Sequence, residues 1–113
     1  MAAAIFATIR TLGYASTSGS YVAVGAVTTQ AYRAFRITNN TNGDMLFSFD
    51  GTTDQLFVPA GSFVLYDLDA NAANVNNSDW FVLKVGSQLY AKRSGTAPTS
   101  GAIWFEGVHS VGV

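Results

Sequence analysis

Along residues 39–68 (NNTNGDMLFSFDGTTDQLFVPAGSFVLYDL) apolar and polar positions alternate in short runs punctuated by turn residues, with no stretch long enough for a helix. Met45, Phe47 and Phe49 share one face of a strand and Leu46 and Ser48 the other, the period of two of a half-buried β-strand. Asn42-Gly43 opens this strand and Asp50-Gly51 closes it; both dipeptides tolerate positive φ, so a sharp reversal is predicted at each. Proline presets φ for a β-turn at Pro59-Ala60-Gly61, after which Phe63, Leu65 and Asp67 alternate with Val64, Tyr66 and Leu68. The pattern predicts a β-meander in which Phe47, Phe49 and Leu65 share one core.

The same period extends both ways. Residues 3–12 carry Ile5, Ala7 and Ile9 on one parity, and their β-branched content favours an early strand over a short helix. Residues 13–20 (GYASTSGS) have the composition of a loop or arm, and residues 21–27 (YVAVGAV) that of a buried strand with a bulge at Gly25. Residues 32–38 place Phe35 and Ile37 on a core face and Arg36 opposite; residues 39–43 are predicted to join this strand to the next as a hairpin. Residues 55–58 form a further short strand, and residues 69–79 read as an exposed loop. Residues 80–85 and 88–93 are expected to pair about Gly86-Ser87, while residues 94–101 form a loop of small residues. Residues 101–108 close the chain as a strand with Ile103 and Phe105 opposing Trp104 and Glu106. Seven to nine short strands at this spacing are the pattern of a sandwich or barrel, and the expectation is an all-β, single-domain antiparallel sandwich, jelly-roll-like, over residues 1–113, with residues 1–20 an arm or edge segment.

Composition narrows the function more than the fold. Apolar residues make up 49% of the 113, enough for a core, but charged residues only 12%, about half the ~25% of an ordinary soluble domain. Protein interfaces are depleted in Lys, Glu and Asp, so part of this surface is expected to be covered by neighbours, including other copies of the chain. A net charge of −1 without basic runs argues against nucleic acid or an anionic membrane as partner. Cysteine is absent, which excludes disulfides and thiolate metal sites. Residues 1–7 are too short and lack the basic flank of a secretory leader.

No residue set announces catalysis. His109 is the sole histidine, with only Glu106 as a nearby carboxylate, and reads as a surface or interface residue. Ser62, Ser94 and Ser100 sit in turns, and no G-x-S-x-G elbow occurs. Asp50, Asp54, Asp67 and Asp69 are able to gather at one end of the meander as oxygen ligands for a cation; turn capping is the competing explanation, and the spacing of an EF-hand loop is missing. Tyr66, Trp80, Tyr90 and Trp104 form either a carbohydrate-stacking platform or core, with core favoured. Arg10, Arg33, Arg36, Lys84, Lys92 and Arg93 are expected at solvated edges or in ion pairs. Catalytic, metal and cofactor residues are accordingly assigned to none of these.

The succession ITNNTNGDMLFSFDG (37–51), FVPAGSFVLYDL (57–68), QLYAK (88–92) and TAPTSGAIW (96–104) resembles small β-rich proteins encoded among the virion structural genes of tailed bacteriophages. The likeness spans about residues 36–105, and the N-terminal third departs from it. It fixes turns and carries no functional residue. What it implies is a non-enzymatic virion component, either a capsid decoration (cement) protein or a head–tail or tail component, bound to major capsid, portal or tail proteins. Decoration is the favoured expectation, and a virion carbohydrate-binding module the further alternative.

Overall fold

The computed structural model describes residues 2–68 and 82–112, among which nine strands form two antiparallel sheets packed as a sandwich. The five-stranded sheet is organised on β9 (Gly101–Gly112), which pairs with β4 (Tyr32–Thr41) on one side and with β1 (Ala2–Phe6) and β2 (Arg10–Gly13) on the other. Beyond β4, β7 (Ser62–Asp67) forms the edge. The four-stranded sheet runs β3 (Val22–Ala23), β8 (Tyr90–Arg93), β5 (Met45–Ser48), β6 (Leu56–Val58). All-β architecture and strand number match the alternation in the sequence.

Between the sheets lie Ile37, Met45, Phe47, Leu89, Ile103 and Phe105, all essentially fully buried. Burying such side chains supplies about 1.5–3 kcal/mol each. Phe35 meets Phe49 and Phe105 edge-on, with ring centroids 5.7 and 5.8 Å apart, the arrangement aromatic quadrupoles prefer. A register shift between Tyr32 and Ala34 lets both Tyr32 and Phe35 point inward. Gly107 makes room for the first of them: a Cβ there would stand 2.2 Å from the Tyr32 ring.

The expected meander is corrected at two points, because β4 and β7 belong to one sheet and β5 and β6 to the other. The Asn42-Gly43 segment is a crossing between sheets and not a hairpin; Gly43 does not take positive φ, and its lack of a Cβ permits close approach to the Thr96 carbonyl and Pro98. Asn39 fixes both crossings. Its buried amide Nδ2 donates to the Gly43 and Val58 carbonyls, both at 2.9 Å, and its Oδ1 accepts from the Thr41 N–H and hydroxyl. Its main-chain carbonyl also accepts the Gly61 N–H, where φ of +72° completes the turn after β6.

Three further expectations are revised. Leu65 lies outside the core: the registers of β4 and β7 turn Val64 inward and leave Phe63 and Leu65 exposed. Residues 82–85 make no hairpin with residues 88–93; Leu83 bridges Tyr32, and Gly86 donates to the Thr28 carbonyl. The strand expected over residues 21–27 shrinks to Val22–Ala23, with Val24 still in the core. Residues 13–20 contain one 3₁₀ turn, Tyr14–Ser16, and are tied down where Arg93 donates to the Thr17 carbonyl at 2.7 Å. The loop expected over residues 69–79, with Asp69, and the start of the strand at Trp80 lie outside the described residues.

Candidate functional site

The outer surface of the five-stranded sheet collects the apolar side chains that alternation turns away from the core. Row by row across β7, β4, β9 and β1, it presents Leu65, Arg36 and Glu106, then Asp67, Ala34, Val108 and Phe6. Phe6 and Ile9 wall one side of a shallow groove of about 420 Å³, and Phe63 and Leu65 the other. These walls are strongly exposed: 81% for Phe6, 58% for Phe63 and 63% for Leu65. Large apolar side chains clustered in solvent mark interaction surfaces in soluble proteins.

Charge in the groove is internally cancelled. Arg36 reaches Glu106 Oε1 through Nε at 2.8 Å and a terminal nitrogen at 2.6 Å, and its guanidinium lies 5.7 Å from the Phe63 ring centroid. An ion pair this exposed contributes about 0–1 kcal/mol, so its effect is to neutralise the floor more than to hold the fold.

The carboxylates singled out from the sequence do not form one site. Asp50 Oδ1 accepts from the Ser48 hydroxyl at 2.6 Å and from the Thr52 and Thr53 N–H groups, both at 2.8 Å, capping its own turn. Those bonds, the Ser48 one foremost, hold its carboxyl far below the usual range. Asp54 accepts from the Tyr21 hydroxyl at 2.6 Å and from Lys92 at 3.0 Å, and both lower its pKa. Burial first, then the bond to Asp54, raises the Tyr21 phenol in turn. Asp67 stands on β7, in the other sheet. Among the described residues no three His, Asp or Glu side chains converge in a way that would hold a metal ion.

His109 lies half-buried on β9 between Ile5 and Tyr32, with its Nδ1 unpartnered, while Glu106 points to the outer face and Arg36. Among the described residues no acid-base pair is assembled there. Ser62 opens β7 with its N–H on the Pro59 carbonyl, the Ser94 N–H donates to the Asp44 carbonyl just past β8, and Ser100 precedes β9. The aromatics are neither all core nor one platform. Tyr66 packs on Phe35 at the core rim, with centroids 5.3 Å apart, whereas Trp104 and Tyr90 alternate with buried Phe105 and Ala91 and so face outward on different sheets.

Among the basic residues, Arg10 does something sequence reasoning missed. Its guanidinium donates to the Ala26, Val27 and Thr8 carbonyls and to the Tyr32 hydroxyl at 2.6 Å, stitching residues 26–27 to the end of the five-stranded sheet. Only its place beside a predicted loop hinted at this. The apolar groove is likewise hidden from the sequence pattern, which predicts Leu65 on the core face.

No family model matches the chain, and no curated protein matches it. Among solved structures, the chain is similar to the SPP1 Dit (gp 19.1) protein, described as a paradigm of the hub adsorption apparatus in phages infecting Gram-positive bacteria. Identity is 16% and the TM-score 0.40; the match covers 94% of this chain, which spans about half (49%) of that protein.

Proposed function

We propose that this chain is a non-enzymatic structural subunit of a phage virion, working by protein–protein contact through the outer face of its five-stranded sheet. The observation that supports it is the groove between Phe6, Ile9, Phe63 and Leu65, apolar, exposed and neutralised at its floor by Arg36 and Glu106. Charged residues at 12% point the same way, since a surface built to be covered dispenses with solubilising charge. The virion setting comes from the phage-like succession of turns and strands in residues 36–105. Within that setting the subunit is a capsid decoration protein, laying a compact sandwich across shell subunits, with a place at the head–tail junction or tail as the competing assignment.

Stoichiometry against the major capsid protein in purified virions tests both levels. Hundreds of copies per particle, by quantitative mass spectrometry, support decoration. About a dozen copies retained in isolated tails or connectors move the chain to the head–tail junction. Absence from the particle ends the virion reading altogether.

A further inference from the structure

Each strand at a sheet edge carries unpaired main-chain groups, and the edges here differ sharply in how they are protected. β3 spans two residues and β6 three, and the edge formed by β1 and β2 is interrupted between Phe6 and Arg10. β7 is different: six residues, SFVLYD, with no proline, lysine or glycine, and with no strand on its far side among the described residues. Such an edge is a template for pairing.

The register fixes which groups it offers. Leu68 N–H donates to the Arg33 carbonyl, so the hydrogen-bonded pairs with β4 fall on Tyr66–Phe35 and Val64–Ile37. The N–H and C=O of Phe63 and Leu65 therefore point away from the sheet. Their side chains stand on the outer face, exposed beside the groove.

We propose that β7 pairs antiparallel with β7 of a second copy about a twofold axis at Val64, joining the two five-stranded sheets into one. Phe63 of each copy then lies opposite Leu65 of the other, and these two residues exchange the outward hydrogen bonds. A second copy supplies a strand whose outward side chains match those of β7. The twofold operation matches an outward aromatic with an outward aliphatic twice over, and a net charge of −1 opposes the approach only weakly. The pairing also makes the groove continuous across both copies. It rests on reading the outer face as an interaction surface, yet stands or falls separately from it, because it is measured on the purified chain while the virion role is measured on particles.

The test is the mass of the full chain by light scattering and sedimentation across a wide concentration range. Wild type is expected at about twice the monomer mass at high concentration. Phe63→Lys and Leu65→Glu, both at exposed positions, should each fall to monomer, with little change in melting temperature at concentrations where wild type is itself monomeric. Mixing the two variants should restore the dimer, because the introduced lysine and glutamate lie opposite one another in this register. Hydrogen exchange on wild type gives a reading independent of any variant: the Phe63 and Leu65 amides should be protected at high concentration and exchange freely on dilution. A wild type monomeric throughout, a mass indifferent to both substitutions, no rescue on mixing, or unprotected amides at high concentration would each overturn the pairing.

Discussion

On the outer face of the four-stranded sheet, Lys92 lies 4.8 Å from the Tyr21 ring centroid and pairs with Asp54, which also takes the Tyr21 hydroxyl. On the outer face of the five-stranded sheet, Phe6, Phe63 and Leu65 flank a groove in which Arg36 and Glu106 cancel at the floor. The first face satisfies its polar groups with side chains of its own chain, and among the described strands of that sheet only Phe57 is a large apolar side chain left exposed. The second face leaves its apolar area unsatisfied. One sandwich thus has a side finished for water and a side finished by something else, and the difference lies in side-chain identity at outward positions, not in backbone geometry.

The comparison is most severely tested at the sheet that carries the groove, where inner and outer positions alternate along one strand. Phe105→Ala should cost about 3–5 kcal/mol in urea titration, as truncating a buried aromatic does. A loss under about 1 kcal/mol would mean that the two sides of β9 have been exchanged. Next comes Asn39→Ala, which leaves the Gly43 and Val58 carbonyls without their amide donor. A buried polar group stripped of its partner costs about 1–3 kcal/mol, so stability should fall by that order. A neutral result would show that the sheets are not held in register from this residue.

The carboxylates Asp50 and Asp54 should make stability respond to acid. Asp50 and Asp54 both titrate below their ordinary range in the folded chain. Their contribution is therefore present above the unfolded carboxyl value, about 3.9, and is lost as pH falls through the folded values. Melting temperature should drop between mildly and strongly acidic buffer, and the drop should shrink in Asp50→Asn and Asp54→Asn. Equal drops in wild type and both variants would remove the carboxylates as the cause. Smallest in stability is Leu65→Ser, expected within about ±0.5 kcal/mol at dilutions where the chain is monomeric, because the side chain of the single chain is already in solvent. The same change should nonetheless cut the fluorescence of a hydrophobic dye bound to the native protein, and undiminished dye binding would place the exposed apolar surface elsewhere.

Much of the fold was legible because a strand buried on one side writes its burial in a period of two. Phe35, Ile37, Phe47, Ile103 and Phe105 follow that period and are buried, and the Asp50-Gly51 and Pro59-Gly61 reversals form with φ of +79° and +72° at their glycines. The groove was not legible. In SFVLYD both parities are apolar, so alternation assigns no inner face to β7; pairing with β4 decides it, and Val64 goes in while Phe63 and Leu65 go out. Sheet membership was equally beyond local pattern. Asn39 looks like the first residue of a hairpin loop, and only the packed structure brings Gly43, Val58 and Gly61 around it and turns a meander into two crossings between sheets. Periodicity is a property of neighbours along the chain and survives in the sequence; the choice of partner strand depends on groups far apart in it, which only the tertiary structure brings together.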